Sequence, residues 1–151
     1  MKAVICRDFG SYENLVFEDR PVPAPAADEI CVTPHAWGLN YVDVIMVGGT
    51  YQLRPELPFV PGGETAGTVA AVGVEIDDIA IGDRVMTSHR PGAFAQIVVA
   101  KRSNVIPMPD SMSFEEAAGF RAGFATSYHG LVQGGRLQAG ETVLVHGAAG
   151  G

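Results

Sequence analysis

Cysteine is scarce in this 151-residue chain: Cys6 and Cys31 are its two, far apart and inside separate strand-like runs. With no C-x-x-C pair, a zinc ribbon and a thioredoxin-type redox motif are excluded, and buried free thiols are expected. The four histidines (His35, His89, His129, His146) form no H-x-x-x-H or other ligand pair. Basic residues are few as well. Ten Lys and Arg stand against seventeen Asp and Glu, a formal net charge of −7. Such a surface argues against nucleic acid or an anionic membrane as a partner, while leaving room for a local basic pocket. Long apolar runs are missing too, because 19 glycines and 10 prolines interrupt them. Neither a transmembrane span nor a signal-peptide core follows Met1-Lys2, so a cytoplasmic protein is expected.

What is present is 47% hydrophobic against 18% charged residues, the balance of a compact globular chain. As far as Pro109, short β-favouring runs alternate with Gly, Pro, Asp and Asn: residues 1–6, 15–18, 29–33, 65–72, 84–87, 94–100 and 104–107. Regularly spaced short strands predict a barrel or sandwich rather than a parallel sheet. The pattern then changes. Ser113-Phe114-Glu115-Glu116 is a capping box. A helix continues through Ala117 and Ala118, weakened by Gly119 and Gly123, and a second helical stretch over 125–132 ends at Gly134-Gly135. Finally, an apolar β-branched run at 142–145 feeds His146-Gly147-Ala148-Ala149-Gly150-Gly151. A strand followed by a glycine-rich turn is the opening of a dinucleotide-binding domain, where backbone must approach a pyrophosphate without Cβ atoms in the way.

Eight segments in order then carry a specific resemblance: M-K-A-V (Met1 to Val4), G-L-N-Y-V-D (Gly38 to Asp43), G-G-T-Y (Gly48 to Tyr51), P-F-V-P-G-G-E-T-A-G-T-V (Pro58 to Val69), V-G-V (Val72 to Val74), G-D-R-V (Gly82 to Val85), G-A-F-A (Gly92 to Ala95) and the closing V-L-V-H-G-A-A-G-G. Together they resemble the medium-chain dehydrogenase/reductase superfamily, and within it the zinc-independent, zeta-crystallin-like NADPH:quinone oxidoreductases. The resemblance implies a mainly β fold class: a GroES-like β-barrel over residues 1–122, then helices and the truncated first strand of a Rossmann domain over 123–151. A chain stopping at Gly151 is expected to be inactive alone and to expose apolar surface around Phe120, Phe124 and Leu131, where a second domain would pack.

The resemblance also implies the chemistry. Zinc-dependent members carry Cys where this chain has Asn40 and G-H-E where it has Gly62-Gly63-Glu64, and the cysteines of their structural zinc lobe are absent here. Asn is a poor zinc ligand and Gly is none, so no metal is expected. Without a Lewis acid, hydride transfer suits an electron-poor acceptor, a quinone or an α,β-unsaturated ketone, whose developing oxyanion needs only hydrogen bonds. The implied cofactor is NADPH, with NADH open, and the implied assembly a homodimer. Asn40 and Tyr51 are the candidate catalytic residues. Asn40, Asp43, Thr126, Gly147, Ala148, Ala149, Gly150 and Gly151 are the candidate cofactor-binding residues.

Structural alternatives stand beside several of these: Asn40 supporting a turn, Asp43 capping a short helix, Tyr51 buried on a loop, Arg121 as a plain helix arginine. Glu64 is expected to be a buried carboxylate, Asp83 and Arg84 a turn with an ion pair, and Met108, Phe114 and Phe120 core. A trans-2-enoyl reductase of the same superfamily and a non-catalytic GroES-like interaction module are the competing functions.

Overall fold

The computed structural model describes residues 1–147, so the candidates Ala148, Ala149, Gly150 and Gly151 lie outside the described residues. Strands β1 (Lys2–Ile5) and β2 (Val16–Asp19) pair as an antiparallel ribbon. Next come β3 (Glu29–Gly38), α1 (Tyr41–Val47), β4 (Glu64–Val72), β5 (Arg84–Ser88), β6 (Val98–Lys101) and β7 (Val105–Pro107). These five strands form an antiparallel sheet in the order β6-β3-β4-β5-β7. The sheet curls into a half-barrel, and single bridges from Ala3 to Ala95 and from Cys6 to Phe59 tie the ribbon across it.

Alternation decides which side chains go inside. Ile30 and Val32 of β3, Val69 of β4, Val85 of β5 and Val98 of β6 point into one apolar core. A second cluster sits under α2 (Phe114–Ala118), whose Ala117 and Ala118 pack on Ala66 and Met86. The capping box forms as the sequence predicts: the Ser113 hydroxyl accepts from the Glu116 amide (3.2 Å) and the Glu116 carboxylate from the Ser113 amide (2.9 Å). Both cysteines are buried and free, and burial pushes both thiols up from their ordinary pKa.

Four expectations need correction. β3 does not stop at Thr33 but runs through Pro34 to Gly38, because its pairing with β4 shifts register between Pro34 and Ala36. A bulge is where a strand tolerates a residue without an N–H. Residues 142–145 form no strand among the described residues. Leu144 is 79% exposed, and an extended run with no neighbour to complete its hydrogen bonds has nothing to hold it as one. Arg84 is not paired with Asp83. Its guanidinium donates to the carbonyls of Asp110 (3.0 Å) and Met112 (2.5 Å) and lies over the Phe114 ring, while Asp83 accepts the Ala80 amide. Phe120 is not core: it stacks on Phe124 at the surface.

At the end of β3, Gly38 permits a close approach. A Cβ there would be driven into the Ala118 carbonyl oxygen and would sit 2.5 Å from Cγ of Glu64, whereas one on Gly63 would meet only Oδ1 of Asp43, at 3.6 Å. Gly38→Ala is therefore expected to destabilise the fold by about 1–3 kcal/mol and Gly63→Ala by less than about 1 kcal/mol. Urea unfolding of the two variants checks the contrast.

Candidate functional site

β4 begins with Glu64, which is only 4% exposed. Its Oε1 accepts a hydrogen bond from Nδ2 of Asn40 (2.8 Å) and its Oε2 from the backbone amide of Ala122 (3.0 Å). Each donor stands at the start of a helix. Asn40 is the N-cap of α1, and Ala122 lies in the first turn of α3 (Phe120–Tyr128), whose own N-cap, Gly119, offers no side chain. Glu64 thus supplies α3 with a cap from a distant strand, where a negative charge also favours the helix dipole.

Asp43, three residues into α1, turns its Oδ2 back to accept the Asn40 amide (2.8 Å). It is as buried as Glu64. Burial pushes the Asp43 carboxyl above its ordinary value; the bond from the Asn40 amide opposes this, and the Glu64 charge adds to it.

α3 continues into a π-helical turn, His129–Gly134, and presents two faces. Arg121, Ala122, Ala125 and Thr126, spaced as one helical stripe, close a cleft of about 420 Å³ whose other walls carry Asn40, Asp43, Tyr51, Glu64 and His89. The structure therefore brings Asn40, Tyr51, Asp43 and Thr126 to one cleft from α1, a loop and α3. Tyr51 is half-buried against the cluster of Cys6, Met46 and Phe59, and its hydroxyl makes no hydrogen bond to the described residues. Arg121, on the cleft wall, donates from Nη1 to the Asn104 carbonyl (3.2 Å). Gly147 lies elsewhere, in a turn at φ +71° with open space where a Cβ would be. That conformation and that space suit the approach of a phosphate to backbone.

The opposite face of α3 is apolar. Phe120, Phe124 and Leu131 are exposed, as the sequence predicts, along a groove of about 770 Å³ shared with Met86 and Ile106. No three His, Cys, Asp or Glu side chains among the described residues are placed to share a metal ion.

Sequence reasoning missed His89. A lone histidine after a strand belongs to no pairing motif, and nothing in its neighbours marks it. Its amide donates to the Gly63 carbonyl (2.7 Å), and its Nε2 lies 2.7 Å from Oγ1 of Thr87. Burial lowers its pKa from 6.5 to about 4.

An antiparallel half-barrel with a helix-walled cleft at one end of its central strand is the fold of the N-terminal domain of the medium-chain dehydrogenase/reductases. Residues 26–110 match the family model for the alcohol dehydrogenase GroES-like domain, and the chain belongs to that family. Among its relatives, the rat synaptic vesicle membrane protein VAT-1 homolog is 38% identical over 153 aligned residues, covering 100% of this chain and 38% of that protein. Human quinone oxidoreductase is 37% identical over 153, covering 100% and 46%. A solved mycobacterial structure complexed with NADPH superposes with a TM-score of 0.92 at 35% identity, covering 100% of this chain and 47% of that one. The chain thus spans less than half the length of these relatives.

The His89 shift sets a pH dependence. Between pH 6.5 and about 4 the unfolded chain takes up a proton at His89 that the folded chain does not, so stability falls as pH falls through that window. Asp43 acts in the opposite sense: its raised pKa contributes stability present below 3.8 and lost as pH rises through the folded value. His89→Gln is expected to flatten the decline in stability between pH 6.5 and 4, read as urea midpoints at several pH values.

Proposed function

We propose that this chain is the substrate-side domain, with the entry to the nucleotide-binding domain, of an NADPH-dependent oxidoreductase that transfers hydride to a quinone or an α,β-unsaturated carbonyl without zinc. The division falls near residue 122, where α3 leaves the barrel. The observation that carries the proposal is the convergence of Asn40, Tyr51 and Thr126 on one cleft whose donor set suits an oxyanion and not a metal ion.

NADPH, when bound, supplies a hydride to the electron-poor carbon of the acceptor. The open turn at Gly147 fits the pyrophosphate, with Ala148, Ala149, Gly150 and Gly151 completing that site, and Asn40 and Thr126 hold the nicotinamide end. Glu64 commits one Nδ2 hydrogen of Asn40 and leaves the second to donate into the cleft. Asp43 positions Asn40 by fixing its backbone. Tyr51, its hydroxyl unused by the described residues, donates to the acceptor oxygen or stacks on a quinone ring.

Human quinone oxidoreductase and the NADPH-bound mycobacterial structure support the substrate class and the cofactor. The identity of the ligand positions supports the absence of zinc, since Asn40 and Gly63 stand where zinc-dependent members supply Cys and His. Elemental analysis of the purified chain is expected to find no stoichiometric zinc, and zinc retained through chelation would contradict this.

In the complete enzyme, Tyr51→Phe and Asn40→Ala are expected to slow hydride transfer to a model quinone by about ten- to a thousand-fold, with a smaller effect on NADPH affinity. Asn40→Ala also strips a partner from buried Glu64, at a cost of about 1–3 kcal/mol in stability, whereas Tyr51→Phe does not. Stopped-flow transfer rates and fluorescence titration of NADPH test both residues. Unchanged transfer in both variants would return them to a structural role.

A further inference from the structure

His89 lines the cleft with a chain of buried hydroxyls behind it. Its Nε2 lies 2.7 Å from Oγ1 of Thr87, which lies 2.8 Å from Oγ1 of Thr65. Both threonines are buried, and neither hydroxyl has another partner among the described residues. A hydroxyl has one proton to donate, so the chain can run in two directions. If Nε2 were the donor, Thr87 would donate to Thr65 and the Thr65 proton would be left buried without an acceptor, a penalty that runs to about 1–3 kcal/mol. The reverse direction satisfies both hydroxyl protons: Thr65 donates to Thr87, and Thr87 donates to Nε2. A neutral imidazole whose Nε2 accepts carries its proton on Nδ1. Nδ1 makes no hydrogen bond to the described residues, in a ring that lines the same cleft as Asn40 and Tyr51.

We propose that His89 is a catalytic hydrogen-bond donor, its Nδ1–H held in that tautomer by the Thr65–Thr87 hydroxyl relay and bonded to the carbonyl oxygen of the quinone or enone acceptor. The proposal rests on the function proposed above. Burial supports it by keeping the ring neutral, with a pKa near 4, so the donor is an uncharged N–H poised for an oxygen that gains charge as hydride arrives. Asp43, Tyr51, Glu64, Arg90 and Arg121 are the other ionisable groups lining the cleft. No proton leaves His89 in this step; the bond to the oxygen shortens as the oxyanion forms, and the proton that completes the hydroquinone comes from water.

Long-range proton–nitrogen correlation in 15N-labelled complete enzyme at pH 7 reads the tautomer directly. A protonated Nδ1 and an unprotonated Nε2 are expected, with the Nδ1 resonance moving on addition of 1,4-naphthoquinone. His89→Phe is expected to slow hydride transfer to 1,4-naphthoquinone by about ten- to a thousand-fold while leaving NADPH affinity within about two-fold, and His89→Gln, which restores a donor, to recover part of the loss. Thr87→Val, which keeps His89 and the core volume but removes the relay, is expected to give a mixed tautomer and a smaller loss of rate. A ring protonated on Nε2, an Nδ1 resonance unmoved by naphthoquinone, or unchanged transfer in folded His89→Phe overturns the proposal. An enzyme that does not oxidise NADPH with naphthoquinone, yet whose Nδ1 resonance moves, sinks the oxidoreductase function and leaves the His89 contact standing.

Discussion

The buried carboxylate of Glu64 holds the site together. One oxygen takes the amide of Asn40, the other the backbone N–H of Ala122, so a residue at the start of a central strand fixes the first turns of two helices. Burying a carboxylate is costly, and two good hydrogen bonds offset that cost only while both donors stay in place. The fold answers by fitting tightly around it: Gly38 lacks the Cβ that would collide with its side chain, and Asp43 locks the backbone of Asn40 from the far side. The carboxylate orients an amide that lines the cleft.

That arrangement separates two tasks on α3. One stripe, with Ala122, Ala125 and Thr126, closes the cleft and is oriented by Glu64. The other, with Phe120, Phe124 and Leu131, is apolar and open. A helix that buries none of its residues depends on its cap and on whatever meets its apolar stripe. The acidic surface does not oppose a nucleotide at this place, since Arg90 and Arg121 line the cleft beside the two carboxylates.

Much of the fold was legible because it rests on local chemistry. The Ser113 capping box and the apolar stripe of α3 are patterns within a few residues and form as read, and most of the strand runs bounded by Gly and Pro overlap a strand of the structure. The errors have one source: a neighbour in space. Pro34 looked like a strand end and is carried inside β3 by a bulge that only the β4 partner reveals. Residues 142–145 have every local mark of a strand and no partner. The site divides in the same way. Asn40, Asp43, Tyr51 and Thr126 could be named from motifs, but the Glu64–Asn40 bond spans 24 residues and the Glu64–Ala122 bond 58. The Thr65–Thr87–His89 chain crosses between strands, so a histidine without a motif gained its meaning only from the fold.

The most direct test of the cleft as the acceptor site is a crystal structure of the complete enzyme with NADP⁺ and a bound naphthoquinone. The quinone ring is expected in the cleft between α1 and α3, with one oxygen within about 3.2 Å of Nδ2 of Asn40, Oη of Tyr51 or Nδ1 of His89. A quinone seated outside that cleft, with all three donors turned to protein or water, would contradict the assignment.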